Sequence, residues 1–278
     1  MGVQIVGSVL VRNEERFVRR AIENVASFCD RIHAFDHVSD DGTWEILRSL
    51  ARELDHLDVR RTRHAADSHR PLEHYAGTAT WVLGVDGDEL FDPAALPRLR
   101  EALLAGEHAD VFRLKGHVLN CDALDLDERT ASGFMAPPSR PVTKLFNLAA
   151  VGEWSGASER LHDGHPVFRG GYDWQSLRYL SESSGWAEDP LRCLHVCFLR
   201  RSGRDDNGRR PNLNETGRYD RTLLGALKRR LRGPNVPPDV VALHERGTDW
   251  KSDWYTRGER VTVDASPFLG ETARAKPS

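Results

Sequence analysis

Short apolar runs recur at regular intervals through the first third of the chain. Each run is bounded by Gly, Asp or other polar residues, which is the pattern of a strand buried on both faces of a parallel sheet. These runs predict strands at residues 3–10, 32–35 and 81–85, and a weaker signal predicts another strand at 57–61. The last run leads directly into Asp86-Gly87-Asp88-Glu89, where an apolar stretch ends in three carboxylates.

Between the strands, apolar residues recur at helical spacing, as in Phe17, Val18, Ala21, Ile22 and Val25. Helices are expected after a cap at Asn13, after the turn from Ser39 to Thr43, over residues 66–79, and after Asp92-Pro93. Repeated β-α units of this length predict an α/β fold. Its sheet should be mostly parallel, with right-handed crossovers and helices on both faces.

The pattern changes after Gly106. Strands are expected at residues 110–114 and 142–147, with a loop containing Gly, Pro and Ser at 131–141. Residues 191–200 alternate as in a strand, which puts Cys193, His195 and Cys197 on one face. Three ligands at this spacing span roughly 13 Å, too far to meet at one zinc ion. We therefore interpret the cysteines as small buried residues.

The predicted domain boundary lies at residue 200, with a main domain at 1–200 and a C-terminal extension at 201–278. Within the extension we expect a mobile polar loop at 202–219 and a disordered tail from about residue 270. A short helix should carry the basic run at 228–232. We interpret that run as a solvated helix face, so membrane contact is at most peripheral.

The composition is that of an ordinary soluble globular protein, with 278 residues, 39% of them hydrophobic and 29% charged. The formal net charge of −3 gives no bulk basic surface for nucleic acid. The N-terminal apolar run is too short to span a membrane. The four cysteines form no disulfide framework. The expected compartment is the cytoplasm, and a homodimer is compatible with the sequence.

The three carboxylates after Val85 are the main candidate for chemistry. In open α/β sheets, ligands bind beyond the carboxyl ends of the strands. Asp86 and Asp88, with one Gly between them, can turn toward one point there. Hard carboxylates suit Mg²⁺ or Mn²⁺, particularly an ion that also holds phosphates. An EF-hand calcium loop is excluded, because its sixth position would be Phe91 and its twelfth Pro97.

Three motifs stand at the ends of predicted strands. They are Leu10-Val11-Arg12-Asn13-Glu14-Glu15, Asp36 followed by Ser39-Asp40-Asp41-Gly42-Thr43, and Trp81 to Glu89 with its D-x-D element. In order and spacing they resemble family 2 glycosyltransferases with the GT-A fold, over residues 1 to about 105 and more loosely to about 200. The most similar subgroup is that of bacterial sugar transferases of the lipopolysaccharide-core type. The resemblance implies inverting transfer of a sugar from a nucleoside-diphosphate sugar, with a UDP-sugar favoured, to an acceptor hydroxyl.

The resemblance also implies how the donor is held. Asp36 would accept a hydrogen bond from the nucleobase. Backbone around Val11, together with Arg12 and Glu14, would line the nucleoside pocket. Arg70 and the neighbouring His69 lie where the family often places a basic residue that contacts the donor, although either could instead lie outside the site.

The metal and the general base are assigned on the same resemblance. Asp86 would face the ribose or the metal, and Asp88 would bind the metal directly. His195 lies where the family often supplies a further metal ligand, and a plain buried histidine is the alternative. The inverting reaction needs a base for the acceptor hydroxyl. Glu159 is the first candidate for this base and Asp163 the second, while a surface carboxylate remains the alternative for either.

Three other classes stay open. A nucleotidyltransferase would carry a Gly-rich loop with a basic residue after the first strand, and residues 10–14 contain no Gly. A metal-dependent phosphohydrolase would cleave a simple phosphoester without an acceptor. A non-catalytic sugar-nucleotide-binding protein would bind a donor without turning it over. Under the transferase interpretation, Asp88→Ala is expected to abolish metal-dependent donor binding with little loss of fold.

Overall fold

The computed structural model describes residues 2–141, 144–203 and 254–270. Its strands are β1 (Gln4–Val11), β2 (Arg31–Asp36), β3 (Leu57–Arg61), β4 (Thr80–Asp86), β5 (Glu89–Phe91), β6 (Arg113–Lys115), β7 (Val118–Asp125), β8 (Thr130–Ala136), β9 (Lys144–Asn147), β10 (Val151–Ser155), β11 (His165–Phe168), β12 (Leu177–Tyr179), β13 (Cys193–His195) and β14 (Arg260–Asp264). Its helices are α1 (Val18–Ala26), α2 (Thr43–Glu53), α3 (Arg70–Glu73), α4 (Leu96–Ala105) and α5 (Ser266–Leu269).

The larger sheet has seven strands in the order β12-β6-β9-β4-β1-β2-β3. Strands β3, β2, β1 and β4 are parallel to one another, while β9 runs antiparallel to β4 and β6. Val11 of β1 lies opposite Asp36 of β2, and Leu10 lies opposite Asp86 of β4. Both acidic residues therefore stand at one carboxyl edge. The expectation of a mainly parallel sheet flanked by helices is confirmed.

Apolar side chains form a cluster on each face of this sheet. Strand β1 contributes Ile5 and Val9 to the cluster that includes residues of α1, α2 and α4. Val6, between them, belongs to the other cluster, which includes Leu72 of α3 and Trp154 of β10. Successive strand side chains point to opposite faces, so one continuous apolar strand stabilises both layers.

A second sheet extends from the edge where Asp86 lies. Its five strands are ordered β14-β8-β7-β13-β5, and β10 pairs with β11 as a separate hairpin. Strand β5 follows Asp88 directly, and β13 pairs with it so that His195 lies opposite Glu89. This pairing places His195 next to the D-x-D element. Strand β14 pairs with β8, so residues 260–264 are part of this sheet.

Two predicted segments differ from the structure. The loop expected at 131–141 is a strand, β8, up to Ala136. Gly133 suggested a loop in the sequence. In the strand this glycine is required, because a Cβ there would lie 2.2 Å from the carbonyl oxygen of Asn120 on the partner strand. The helix expected at 66–79 is reduced to a 3₁₀ turn at Ala65–Ser68 and the short α3. Tertiary contacts of Ser68 and His69, described below, replace a continuous helix there.

Two helices begin later than predicted. Helix α1 begins at Val18, and Asn13 is not its cap but has a left-handed backbone with φ 54°. Helix α4 begins at Leu96, since the Asp92 carboxylate accepts the N–H of Ala94 at 2.9 Å in the preceding turn.

The predicted mobile loop from residue 204 onward, the basic helix and the tail after 270 lie outside the described residues. The domain boundary at residue 200 stays a prediction. In the described ranges, no helix is long and apolar enough to cross a membrane. The four cysteines carry free thiols, and Cys193 is buried while Cys197 is partly exposed.

Candidate active site

Asp36 ends β2 as a fully buried carboxylate at the carboxyl edge of the sheet. Its two oxygens accept the N–H of Ser39 at 3.2 Å each, and Arg61 at the end of β3 approaches Oδ2 to 2.9 Å. Burial raises the pKa of Asp36, and hydrogen bonds from Ser39 and the charge of Arg61 offset that only in part. Ser39 and Arg61 engage the oxygens of Asp36 in this structure, so its hydrogen bond to a nucleobase stays a prediction.

The first two motifs bind each other through their loops. The Asn13 amide donates to Asp40 Oδ1 at 2.8 Å, and its oxygen accepts the N–H of Asp40 at 3.0 Å. The N–H of Glu14 donates to Thr43 Oγ1 at 2.8 Å. The carbonyl of Val11 accepts the N–H of His37 at 2.8 Å. These bonds join Val11 and Glu14, two of the three predicted nucleoside-pocket residues, to the second motif beside Asp36.

Gly87, between the two D-x-D carboxylates, is required by the protein's own packing. A Cβ at this position would lie 2.6 Å from Glu14 Cγ and 2.9 Å from Val11 Cγ1. The side chains of Glu14 and Val11 fill the space beside the Gly87 backbone. The first motif and the D-x-D element are therefore in direct contact.

Asp88 lies in a buried cluster of charges. Its carboxylate forms an ion pair with Arg201, and the same guanidinium lies 3.5 Å from Glu14 Oε1. His195 Nε2 lies 3.6 Å from Asp88 Oδ2. The structure thus brings together Glu14, Asp88 and His195, which are far apart in the sequence, around one arginine that the sequence did not suggest.

A hydrogen bond to Asn120, on the side of the ring away from Asp88, fixes the orientation of His195. Its Nδ1 lies 2.9 Å from the amide oxygen of Asn120, and the Asn120 amide nitrogen donates to Ser139 Oγ at 2.9 Å. Because the amide oxygen is an acceptor only, Nδ1 is the donor. In the neutral ring this tautomer leaves the lone pair on Nε2, toward Asp88, as metal-binding histidines require.

Asp86 belongs to a second set of ion pairs. It pairs with the buried Arg160, whose Nη1 also donates to the carbonyl of Val85 at 3.0 Å. Arg160 Nη2 lies 2.9 Å from Glu159 Oε1, and His162 Nδ1 lies 2.5 Å from the same oxygen. The result is a chain of contacts from the D-x-D element through Arg160 to Glu159 and His162.

Charge rather than burial decides the ionisation of this set. Burial raises the pKa of Glu159, but Arg160 and His162 outweigh it and lower the pKa to about 2. Burial lowers the pKa of Arg160, but Asp86 and Glu159 outweigh it and raise that pKa above its usual range. At neutral pH Glu159 is a fixed carboxylate held by two cationic or hydrogen-bonding partners.

His69 anchors the loop that carries Glu159. Its ring nitrogens contact the carbonyl oxygens of Arg160 and, at 2.8 Å, of Trp154, and the N–H of Arg160 donates to Ser68 Oγ at 2.9 Å. Arg70 points elsewhere and is 77% exposed, with an ion pair to Asp67 at 3.2 Å. It lines a groove of about 540 Å³ that also contains Arg61, the partner of Asp36.

Asp163, the second candidate for the base, closes the same loop. It has φ 57°, its Oδ2 accepts the Ser158 hydroxyl at 2.7 Å, and its carbonyl accepts Trp154 Nε1 at 3.0 Å. These contacts give Asp163 a structural role in the turn between β10 and β11. Its assignment as a base stays a prediction.

No group of three or more His, Cys, Asp or Glu side chains in the described ranges is arranged to hold a metal ion. Asp88 and His195 are adjacent, but Asp86 faces Arg160. Sequence reasoning missed Arg160, His162 and Arg201. Arg160 and His162 closely follow the candidate Glu159 in the sequence, and Arg201 closely follows β13, but the partners of these residues could not be predicted from the sequence.

Residues 9–118 match the model of the family described as Glycosyl transferase family 2. This segment contains Asp36, Asp86 and Asp88 at one edge of the sheet, so the family match covers the N-terminal part of the chain and its candidate carboxylates. The resemblance is confirmed over these residues, whereas Glu159, His162 and His195 lie beyond them. No curated protein matches the chain.

Several solved structures are distantly similar. S. aureus TarS has a TM-score of 0.36 and 20% identity, over 53% of this chain and 29% of its own. The mannosyltransferase PcManGT from Pyrobaculum calidifontis, solved with GDP-Man and Mn²⁺, has a TM-score of 0.32 and 20% identity, over 41% of this chain and 35% of its own.

Mannose-6-phosphate isomerase from Helicobacter pylori has a TM-score of 0.33 and 10% identity, over 53% of this chain and 72% of its own. At TM-scores this low the likenesses carry no argument about activity or substrate. The chain spans about a third or less of the first two of these structures. These structures therefore do not define the activity of the whole protein.

Proposed function

We propose that the protein is a metal-dependent, inverting glycosyltransferase that moves a sugar from a nucleoside-diphosphate sugar to an acceptor hydroxyl. The observation that carries the proposal is the common position of Asp36, Asp86 and Asp88. All three lie in the segment matched as glycosyl transferase family 2, at or just beyond the carboxyl ends of β2 and β4, the two parallel strands on either side of β1. Ligands of open α/β sheets bind at that edge.

The donor would lie across this edge with its nucleoside toward Asp36. The buried carboxylate accepts hydrogen bonds, and the loop at 11–14 that packs against Gly87 forms the adjoining wall. The diphosphate would then approach the D-x-D element. A UDP-sugar is the favoured donor, and the nucleotide is the first property to measure.

The residues fit a divalent cation in their donor chemistry. Asp88 and His195 offer a hard carboxylate and an imidazole whose tautomer directs Nε2 toward Asp88. A bound cation would offset negative charge on the departing diphosphate. Arg201 pairs with the same carboxylate, so a cation and this guanidinium would share the negative charge of Asp88.

The protein's own groups would position and deprotonate the acceptor. In an inverting reaction the acceptor oxygen forms a bond to the anomeric carbon on the face opposite the diphosphate. The bond from that carbon to the phosphate oxygen breaks, and the nucleoside diphosphate leaves with the electron pair. The acceptor proton must pass to a base on the protein.

The proposal is tested by thermal unfolding with UDP, GDP, dTDP and CMP, each with and without Mn²⁺. A ligand that binds the folded state raises the unfolding midpoint by mass action. At a concentration about 100 times the Kd, the stabilisation is about 2.7 kcal/mol, which corresponds to a rise of several degrees. We expect a shift with one diphosphate that depends on Mn²⁺, with UDP the favoured case.

If a nucleotide raises the unfolding midpoint without Mn²⁺, and added Mn²⁺ raises it no further, only the metal dependence is contradicted. Unchanged midpoints with all four nucleotides would contradict sugar-nucleotide binding. Hydrolysis of a simple phosphoester such as p-nitrophenyl phosphate would then identify the phosphohydrolase.

A further inference from the structure

The turn between β10 and β11 places a histidine and a carboxylate in one hydrogen-bonded unit. Glu159 and His162 form an isolated β-bridge, in which the N–H of His162 donates to the Glu159 carbonyl at 2.8 Å. Their side chains meet as well, with His162 Nδ1 at 2.5 Å from Glu159 Oε1. The backbone and side-chain contacts together fix the position of the ring relative to the carboxylate.

Glu159 is suited to hold this ring rather than to take a proton itself. Its carboxylate is buried and lies 2.9 Å from Arg160 Nη2. A pKa of about 2 makes it a very weak proton acceptor near pH 7, where an efficient base has a pKa close to the working pH. Imidazole has its ordinary pKa in that range. Between the two groups, His162 is the better base.

The pair also lies next to the proposed donor site. Arg160 bridges Glu159 and Asp86, and Asp86 ends β4 at the edge where the donor would bind. The backbone N–H and carbonyl of Arg160 also contact Ser68 Oγ and the His69 ring, and these contacts fix the position of the arginine between Asp86 and Glu159. The His162 side chain is 41% exposed, whereas that of Glu159 is 6% exposed. An acceptor arriving from solvent can thus reach the imidazole but not the carboxylate.

We propose that His162 is the general base that removes the proton from the acceptor hydroxyl, with Glu159 as its positioning residue. This assignment rests on the proposed glycosyl transfer. With Nδ1–H donated to Glu159, the lone pair on Nε2 takes the hydroxyl proton while the acceptor oxygen bonds to the anomeric carbon. The bond to the diphosphate breaks, and the imidazolium that forms is stabilised by the Glu159 carboxylate.

The charged and titratable groups around the pair set the expected pH dependence. In the described ranges they are Glu159, Arg160, Asp163, Asp86 and His37. The negative charge of Glu159, in contact with Nδ1, favours the imidazolium. Replacing Glu159 by Gln removes that charge, so the acid limb of the rate profile should move to lower pH.

The test compares the parent with His162→Gln, Glu159→Gln and the control His165→Gln, which changes an exposed histidine at the start of β11. Release of UDP from UDP-glucose, UDP-galactose and UDP-N-acetylglucosamine, and of GDP from GDP-mannose, is measured with Mn²⁺ and water as acceptor from pH 5 to 9. Nucleotide-dependent thermal stabilisation is measured on each variant. His162→Ala is assayed with added imidazole.

We expect His162→Gln to keep the nucleotide-dependent stabilisation while its release rate falls by about 10²–10⁴ and its acid limb disappears. Imidazole should restore part of the rate of His162→Ala, and His165→Gln should resemble the parent. A His162→Gln variant with the parent's rate and acid limb would overturn the assignment, as would a loss of nucleotide binding in proportion to the rate. A parent that neither binds nucleotide nor releases it would instead overturn the proposed function on which the assignment rests.

Discussion

Arg160→Met should lower the free energy of unfolding by about 3–5 kcal/mol, the usual cost of removing one partner from a buried ion pair. Met fills much of the arginine's volume but leaves Asp86 and Glu159 facing each other without the cation between them. It also removes the hydrogen bond to the carbonyl of Val85. Urea unfolding at pH 7 measures the change, and the thermal midpoint should fall by roughly 10 °C.

Arg178→Met is the matched control, because Arg178 pairs with Asp110 at 2.6 Å with the two side chains 38% and 64% exposed. An exposed pair contributes about 1 kcal/mol or less, so this variant should resemble the parent. Equal losses in the two variants would show that the Arg160 contacts stabilise no more than a surface pair.

The sign of the pH effect follows from Glu159. Its pKa is about 2 in the folded protein against an ordinary value of 4.5, so the stabilisation is fully present above pH 4.5 and is lost as pH falls toward 2. The difference between the parent and Arg160→Met should therefore shrink as the pH is lowered below 4.5. A difference that stays constant down to pH 3 would contradict this ionisation.

Asp88→Asn should abolish Mn²⁺-dependent stabilisation by nucleotide and lower donor turnover at least about a hundredfold. The amide keeps the shape of the side chain but removes the charge that would bind the cation, and cation catalysis contributes several kcal/mol. Asn is preferred to Ala here. Asp88 pairs with the buried Arg201 and lies next to His195, so Ala would leave a cavity among charged groups.

Asp122→Asn is the control, since Asp122 is an aspartate of the second sheet in an exposed pair with Arg260 at 2.9 Å. It should keep both the Mn²⁺-dependent shift and turnover. If Asp88→Asn also kept both, Asp88 would not be a metal ligand. Addition of EDTA to the parent should remove the nucleotide-dependent stabilisation and lower turnover, as Asp88→Asn does. It should not change the unfolding midpoint of the protein without nucleotide.

The parallel half of the fold could be predicted from the sequence because three of its four strands are mostly apolar runs bounded by polar residues. The weaker signal at 57–61, where only Leu57 and Val59 are apolar, coincides with β3, and the apolar runs at 3–10 and 32–35 lie within a residue of β1 and β2 at each end. The predicted starts of the helices were less accurate. Asn13 is a good capping residue, but its amide bonds to Asp40 across the site instead.

The candidate site was predictable in its carboxylates but not in its cations. Asp36 and Asp88 stand out because each follows an apolar run, and parallel strands bring such ends together. Arg201 and Arg160 act through partners more than seventy positions away, 113 in the case of Arg201 and Asp88 and 75 in the case of Arg160 and Val85. Their roles depend on pairing between strands, which a single sequence does not specify.

The most direct test of glycosyl transfer is proton NMR of the parent with UDP-α-glucose, GDP-α-mannose and dTDP-α-glucose, each with Mn²⁺ and without added acceptor. Release of one nucleoside diphosphate, with the β-anomer of the free sugar formed first, is the result we predict, since attack on the face opposite the diphosphate inverts the anomeric carbon. First formation of the α-anomer would contradict the inverting mechanism. Absence of release from all three, by folded protein, would contradict the account as a whole.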